Sequence, residues 1–96
     1  MNDWQNHIRI KNMAKDLLEQ ARKEINEVDK EMAELFVRRM RAAELVAQYK
    51  KERGLAILDE VREAEVIRRN SAMIEDEQIR EYYVRFLQDT MSVSRM

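Results

Sequence analysis

Residues 25–54 read INEVDKEMAELFVRRMRAAELVAQYKKERG, and this stretch decides the fold. Ile25, Val28, Met32, Leu35, Phe36, Met40, Ala43, Val46 and Tyr49 recur almost always three or four residues apart, the period of an α-helix with one apolar face. No proline interrupts the run, and Gly54, the one glycine, stands where a helix ends in a left-handed residue. Upstream the pattern continues through Trp4, Ile8, Met13, Leu17 and Ala21, so a single helix is expected over roughly residues 3–52, capped by Asn2 or Asp3. Downstream, Leu55 to Leu58 form a short apolar connector, and Asp59 is the expected N-cap of a second helix ending at Arg69 or Asn70. A third helix is expected from about Asp76, with Ile79, Tyr82, Tyr83, Phe86, Leu87, Thr90, Met91 and Ser94 on one face. The fold class is all-α, with one very long helix and two shorter ones.

Composition narrows the functional classes. There is no cysteine, hence no disulfide or thiolate chemistry, and His7 alone supplies too few nitrogen ligands for a metal site. His7 reads as a solvent-exposed residue. Basic and acidic residues nearly cancel, 18 against 19, so no overall field draws the chain to nucleic acid or to anionic lipid. No apolar run approaches the ~18 residues a membrane span needs, and no charged-then-apolar leader opens the sequence. A cytoplasmic protein is expected. The seven methionines read as core filling, and without repeat, low-complexity segment or linker residues 1–96 form one domain.

Length then argues for a partner. A helix of some fifty residues extends about 75 Å, whereas the two shorter helices together reach about 50 Å and cannot cover its apolar stripe. The economical solution is a twofold homodimer, with two copies of the long helix antiparallel and the shorter helices folded back over them.

That geometry gives meaning to a set of charges. Arg39 and Lys50 are three turns apart with about 20° of residual rotation, so both leave one face about 16 Å apart and can converge on a small anion. Arg22 lies about 25 Å before Arg39 and roughly 100° around the helix, so it joins that site only from a second copy. Past Gly54 the chain folds back and brings Arg62 and Glu63, on the first turn of the second helix, over the same face. A lone carboxylate among several cations suits a ligand hydroxyl. Any single arginine or lysine on so charged a chain is most often solvated surface, and the weight rests on the constellation.

These residues resemble the all-helical chorismate mutases. The likeness is carried by Ile25 to Asp29, by Leu35-Phe36-Val37-Arg38-Arg39-Met40, by Tyr49-Lys50, and by Gly54-Leu55-Ala56-Ile57-Leu58-Asp59 with Arg62-Glu63. It covers about residues 20 to 94, and residues 1–19 stand outside it as a helical extension in which Trp4, Ile8 and Met13 read as packing residues. The resemblance implies an intertwined three-helix homodimer whose two sites are shared between chains. It further implies rearrangement of chorismate to prephenate in aromatic amino-acid synthesis on the shikimate pathway, without cofactor or metal. Carried over residue by residue, Arg22 of the partner chain and Arg39 resemble the arginines that clamp the substrate's two carboxylates. Lys50 resembles the lysine that donates to the ether oxygen and a carboxylate. The same resemblance implies that Glu63 would accept from the ring hydroxyl with help from Asp59, that Arg62 would border and order the site, and that Ser94 would touch a carboxylate from the third helix. A pericyclic reaction needs no nucleophile or general acid, and charged donors on rigid helices supply what it does need.

In helix 3, Ser92 competes with Ser94 for the serine's place. The family usually carries a glutamine or glutamate four residues after that serine, and the sequence given ends at Met96, two residues short of it. With Lys50 alone on the ether oxygen, weak but measurable turnover is expected. Two other readings stand beside the mutase: a lyase of the same fold that removes pyruvate from isochorismate, and a non-catalytic helical dimerisation or regulatory module.

Overall fold

The computed structural model describes residues 3–96, which form three α-helices and, among the described residues, no strand. α1 runs over Asp3–Glu52, α2 over Glu60–Ser71 and α3 over Glu77–Ser94. Asp3 stands in the first turn of α1, and Asn2, the other expected cap, lies outside the described residues.

α1 ends as its sequence requires. Gly54 has φ 65°, its N–H donates to the Lys51 carbonyl at 3.3 Å, and the Leu55 N–H returns to the Lys50 carbonyl at 2.8 Å. This pair of reversed bonds satisfies carbonyls the helix leaves open, and it turns the connector sharply away from the helix axis. α2 starts at Asp59, whose extended backbone and Oδ1, accepting from the Arg62 N–H at 3.0 Å, make it the N-cap. α3 starts in the same way at Asp76, whose Oδ1 accepts from the Ile79 N–H at 3.0 Å. α2 outlasts its expected end at Arg69 or Asn70. Asn70 Nδ2 donates to the Val66 carbonyl and Ser71 Oγ to the Arg68 carbonyl, so the polar pair bonds back to the last turn and continues the helix.

The chain divides into two compact units between Arg38 and Arg39. The first is the N-terminal part of α1, a lone amphipathic helix with Lys15 and Glu19 paired across one turn at 3.9 Å. Trp4, Ile8, Met13, Leu17 and Ile25, expected to pack, are all exposed here, because one helix offers its own apolar face nothing to bury against.

The second unit contains the end of α1 from Arg39, the connector, α2 and α3, with α2 and α3 packed on one another. Among the described residues only Leu87 and Met91, on α3, are buried, with Val66, Ile67, Tyr83, Val84, Met40 and Ala43 half-buried around them. The apolar face expected for the third helix is thereby divided. Tyr83, Leu87, Thr90, Met91 and Ser94 point inward, whereas Ile79, Tyr82 and Phe86 are exposed, because the apolar arc is wider than the neighbouring helices of one chain cover. The methionines divide likewise: Met91 is buried and Met40 half-buried, but Met13, Met32, Met73 and Met96 are exposed in the single chain and fill no core there. Arg80 ties the loop between α2 and α3, donating from Nε to the Ile74 carbonyl at 2.8 Å and from Nη2 to the Glu75 carbonyl at 3.1 Å.

Candidate active site

A cleft of about 320 Å³ opens within the second unit. Arg39 and Lys50 on α1, Asp59 at the α2 cap, Arg62 and Glu63 on the first turn of α2, and Ser94 at the end of α3 all line it. Six of the seven residues that the sequence singles out are therefore brought together, from three helices and across more than fifty residues of chain. Arg22, the seventh, belongs to the first unit and is exposed. Ala43, Val46, Ile57, Val66 and Met91 complete the walls, and such apolar lining strengthens any electrostatic contact made inside.

The hydrogen bonds sort the charges into two groups. Asp59 is engaged as a cap, Arg62 Nη1 meets Glu65 Oε1 at 3.1 Å, and Glu63 Oε2 meets Arg95 Nη1. Each of these charges is answered by another charge or by a helix terminus. Arg39 and Lys50 are different. Arg39 Nη1 donates to the Ser94 hydroxyl at 2.6 Å, and Ser94 in turn donates to the Thr90 carbonyl at 2.8 Å. Lys50 Nζ donates to the Ile57 carbonyl at 2.8 Å. A hydroxyl and a carbonyl orient these cations without neutralising them, and no carboxylate pairs with either among the described residues. The cleft thus presents two held, uncompensated positive charges beside the Glu63 carboxylate, which suits a small, multiply anionic molecule that also carries a hydroxyl.

The family model described as chorismate mutase type II matches residues 21–96. The chain belongs to the chorismate mutase type II family. The match takes in all seven singled-out residues of this family member, Arg22 included, and leaves residues 3–20 of α1 outside it. Searches of curated proteins and of solved structures return no match to the chain.

Between the two serines that competed in the sequence, the geometry favours Ser94, which lines the cleft and bonds Arg39, while Ser92 is exposed. Three participants escaped the sequence. The Ile57 carbonyl and the Thr90 carbonyl, which hold Lys50 and Ser94, are backbone groups and leave no trace in residue type. Arg95 also lines the cleft and holds Glu63 from thirty-two residues away. The one available signal for it was adjacency to Ser94 at the end of a helix facing a carboxylate, which is too common a pattern to stand out.

Proposed function

We propose that this family member is a chorismate mutase, an isomerase that converts chorismate to prephenate in the Arg39–Lys50 cleft. The observation that carries the reading is the pair of cations left without a carboxylate partner beside Glu63 in one open, partly apolar cleft. Chorismate is a dicarboxylate with a ring hydroxyl and an ether link, so its groups answer those of the cleft one for one. Arg39 and Ser94 bind a carboxylate and hold the folded conformer in which the two carbon termini face each other. As the ether carbon–oxygen bond breaks and the new carbon–carbon bond forms, negative charge grows on the ether oxygen, and Lys50 stabilises it. Glu63 accepts from the ring hydroxyl and fixes the ring. No proton has to be moved, and the positioning itself carries a large part of the acceleration.

The second arginine comes from another copy of the chain. Ile25, Val28, Met32, Leu35 and Phe36 are 41–58% exposed in the single chain, a continuous apolar stripe that a homodimer covers. In that dimer Arg22 of one chain serves the cleft of the other. Light scattering over a dilution series is expected to give about twice 11.6 kDa wherever helical signal persists. A helical monomer at micromolar concentration would contradict the shared site.

Incubating the purified protein with chorismate and following the fall in its ultraviolet absorbance tests the activity. Release of pyruvate from isochorismate with chorismate left intact would reassign the cleft to the lyase reaction. Inertness toward both substrates would leave a helical dimerisation module.

A further inference from the structure

We infer that Arg95 is a positioning residue of this cleft, acting through Glu63. The inference rests on the mutase reading above. The Arg95–Glu63 pair differs from the other ion pairs in three respects. Those others join residues one turn apart on a single helix and are 46–73% exposed, whereas Arg95 and Glu63 are 31% and 26% exposed, join α3 to α2, and both face the cleft. Solvent and salt weaken the exposed pairs and shield this one less.

Both ends of the pair are anchored. The Arg95 N–H closes α3 onto the Met91 and Ser92 carbonyls, each at 3.2 Å, which fixes the arginine's backbone as the C-cap. The Glu63 N–H donates to the Asp59 carbonyl at 3.0 Å, which fixes the glutamate one turn beyond the α2 cap. A guanidinium held at one wall therefore takes Oε2 of a carboxylate held at the other. Oε1 of Glu63 takes no other hydrogen bond among the described residues, and it remains the oxygen available to a substrate hydroxyl. A glutamate side chain has three rotatable bonds, and capturing one of its oxygens removes most of that freedom before substrate arrives. Arg95 thus gives Glu63 one orientation and keeps it from turning onto Arg39 or Lys50, whose positive charge the reaction needs.

The experiment is a double-mutant cycle on the full chain in the chorismate assay, with Arg95→Met, Arg95→Lys, Glu63→Gln and the combined Arg95→Met/Glu63→Gln. Arg95→Met keeps the side-chain stem and removes the guanidinium. It is expected to lower kcat by about 10²-fold, as misplacement of a positioned group does, with KM changed by less than about threefold. Arg95→Lys is expected to restore most of the loss, and Arg95→Met in the Glu63→Gln background to cost almost nothing further. A purely structural role would not produce this pattern, and thermal unfolding of each variant allows comparison at equal fraction folded. Additive losses, or a change confined to KM, would overturn the inference while leaving the mutase reading in place. A wild-type protein that does not consume chorismate would overturn that reading, and this inference with it.

Discussion

Replacing Arg39 separates catalysis from stability, because the one side-chain hydrogen bond it makes among the described residues can be removed from either end. Arg39→Ala deletes the cation together with the 2.6 Å bond to Ser94; Ser94→Ala deletes the same bond and keeps the cation. A hydrogen bond to a charged group contributes about 1.5–3 kcal/mol when sheltered, and the half-exposed setting of this one lowers that to about 1 kcal/mol. On a domain of this size such a loss moves Tm by about 4–8 °C, and both variants are expected to show it. Turnover is expected to divide them. Removing one preorganised donor from a site that stabilises growing charge costs about 10²–10³-fold in kcat, which is the expectation for Arg39→Ala. Ser94→Ala leaves the guanidinium in the cleft with one fewer partner and is expected to lose about tenfold or less. Circular dichroism melts and chorismate consumption at a temperature well below both transitions supply the two numbers. Equal turnover losses in the two variants, or a loss for Arg39→Ala that vanishes at equal fraction folded, would refute the electrostatic role.

Three further outcomes follow from the same geometry. Gly54→Ala meets no steric neighbour but places a side chain at φ 65°, and is expected to lower stability by about 1–2 kcal/mol in chemical denaturation. Asp59→Ala removes the α2 cap that accepts from Arg62, and is expected to cost about 1 kcal/mol of stability and to reduce kcat, because Glu63 lies on the turn that the cap begins. Mixing Arg22→Ala with Lys50→Ala chains under conditions that exchange subunits is expected to restore activity that neither shows alone, since half of the mixed sites are then intact. Complete failure to restore it would argue against a site shared between the two chains.

The helices were legible because each is punctuated by residues with one local meaning. Gly54 can adopt the left-handed backbone that closes α1, and Asp59 and Asp76 carry short carboxylates that accept from the N–H three residues on. The end of α2 was less legible, since Asn70 and Ser71 serve equally in a turn or bonded back to a helix, and only the surrounding chain decides between these. The inward face of α3 was blurred for a different reason: Ile79, Tyr82 and Phe86 share the helical period with Leu87 and Met91, and periodicity does not say which neighbour each residue meets. In the cleft, the charged side chains of Arg39, Lys50, Arg62 and Glu63 could be read from type and spacing. The groups that hold them, the carbonyls of Ile57 and Thr90 and the guanidinium of Arg95, come from backbone or from distant chain and became visible only in three dimensions.

Lys50 offers the most direct test of the central claim, that uncompensated charge in this cleft rearranges chorismate. Prephenate formed from chorismate is measured directly, by proton magnetic resonance of the reaction mixture, for the wild type and for Lys50→Ala at equal folded concentration. The account predicts saturable prephenate formation by the wild type and a rate lower by about 10²-fold or more without the ammonium. Prephenate formed at the same rate by both proteins, or by neither above the uncatalysed background, would contradict it.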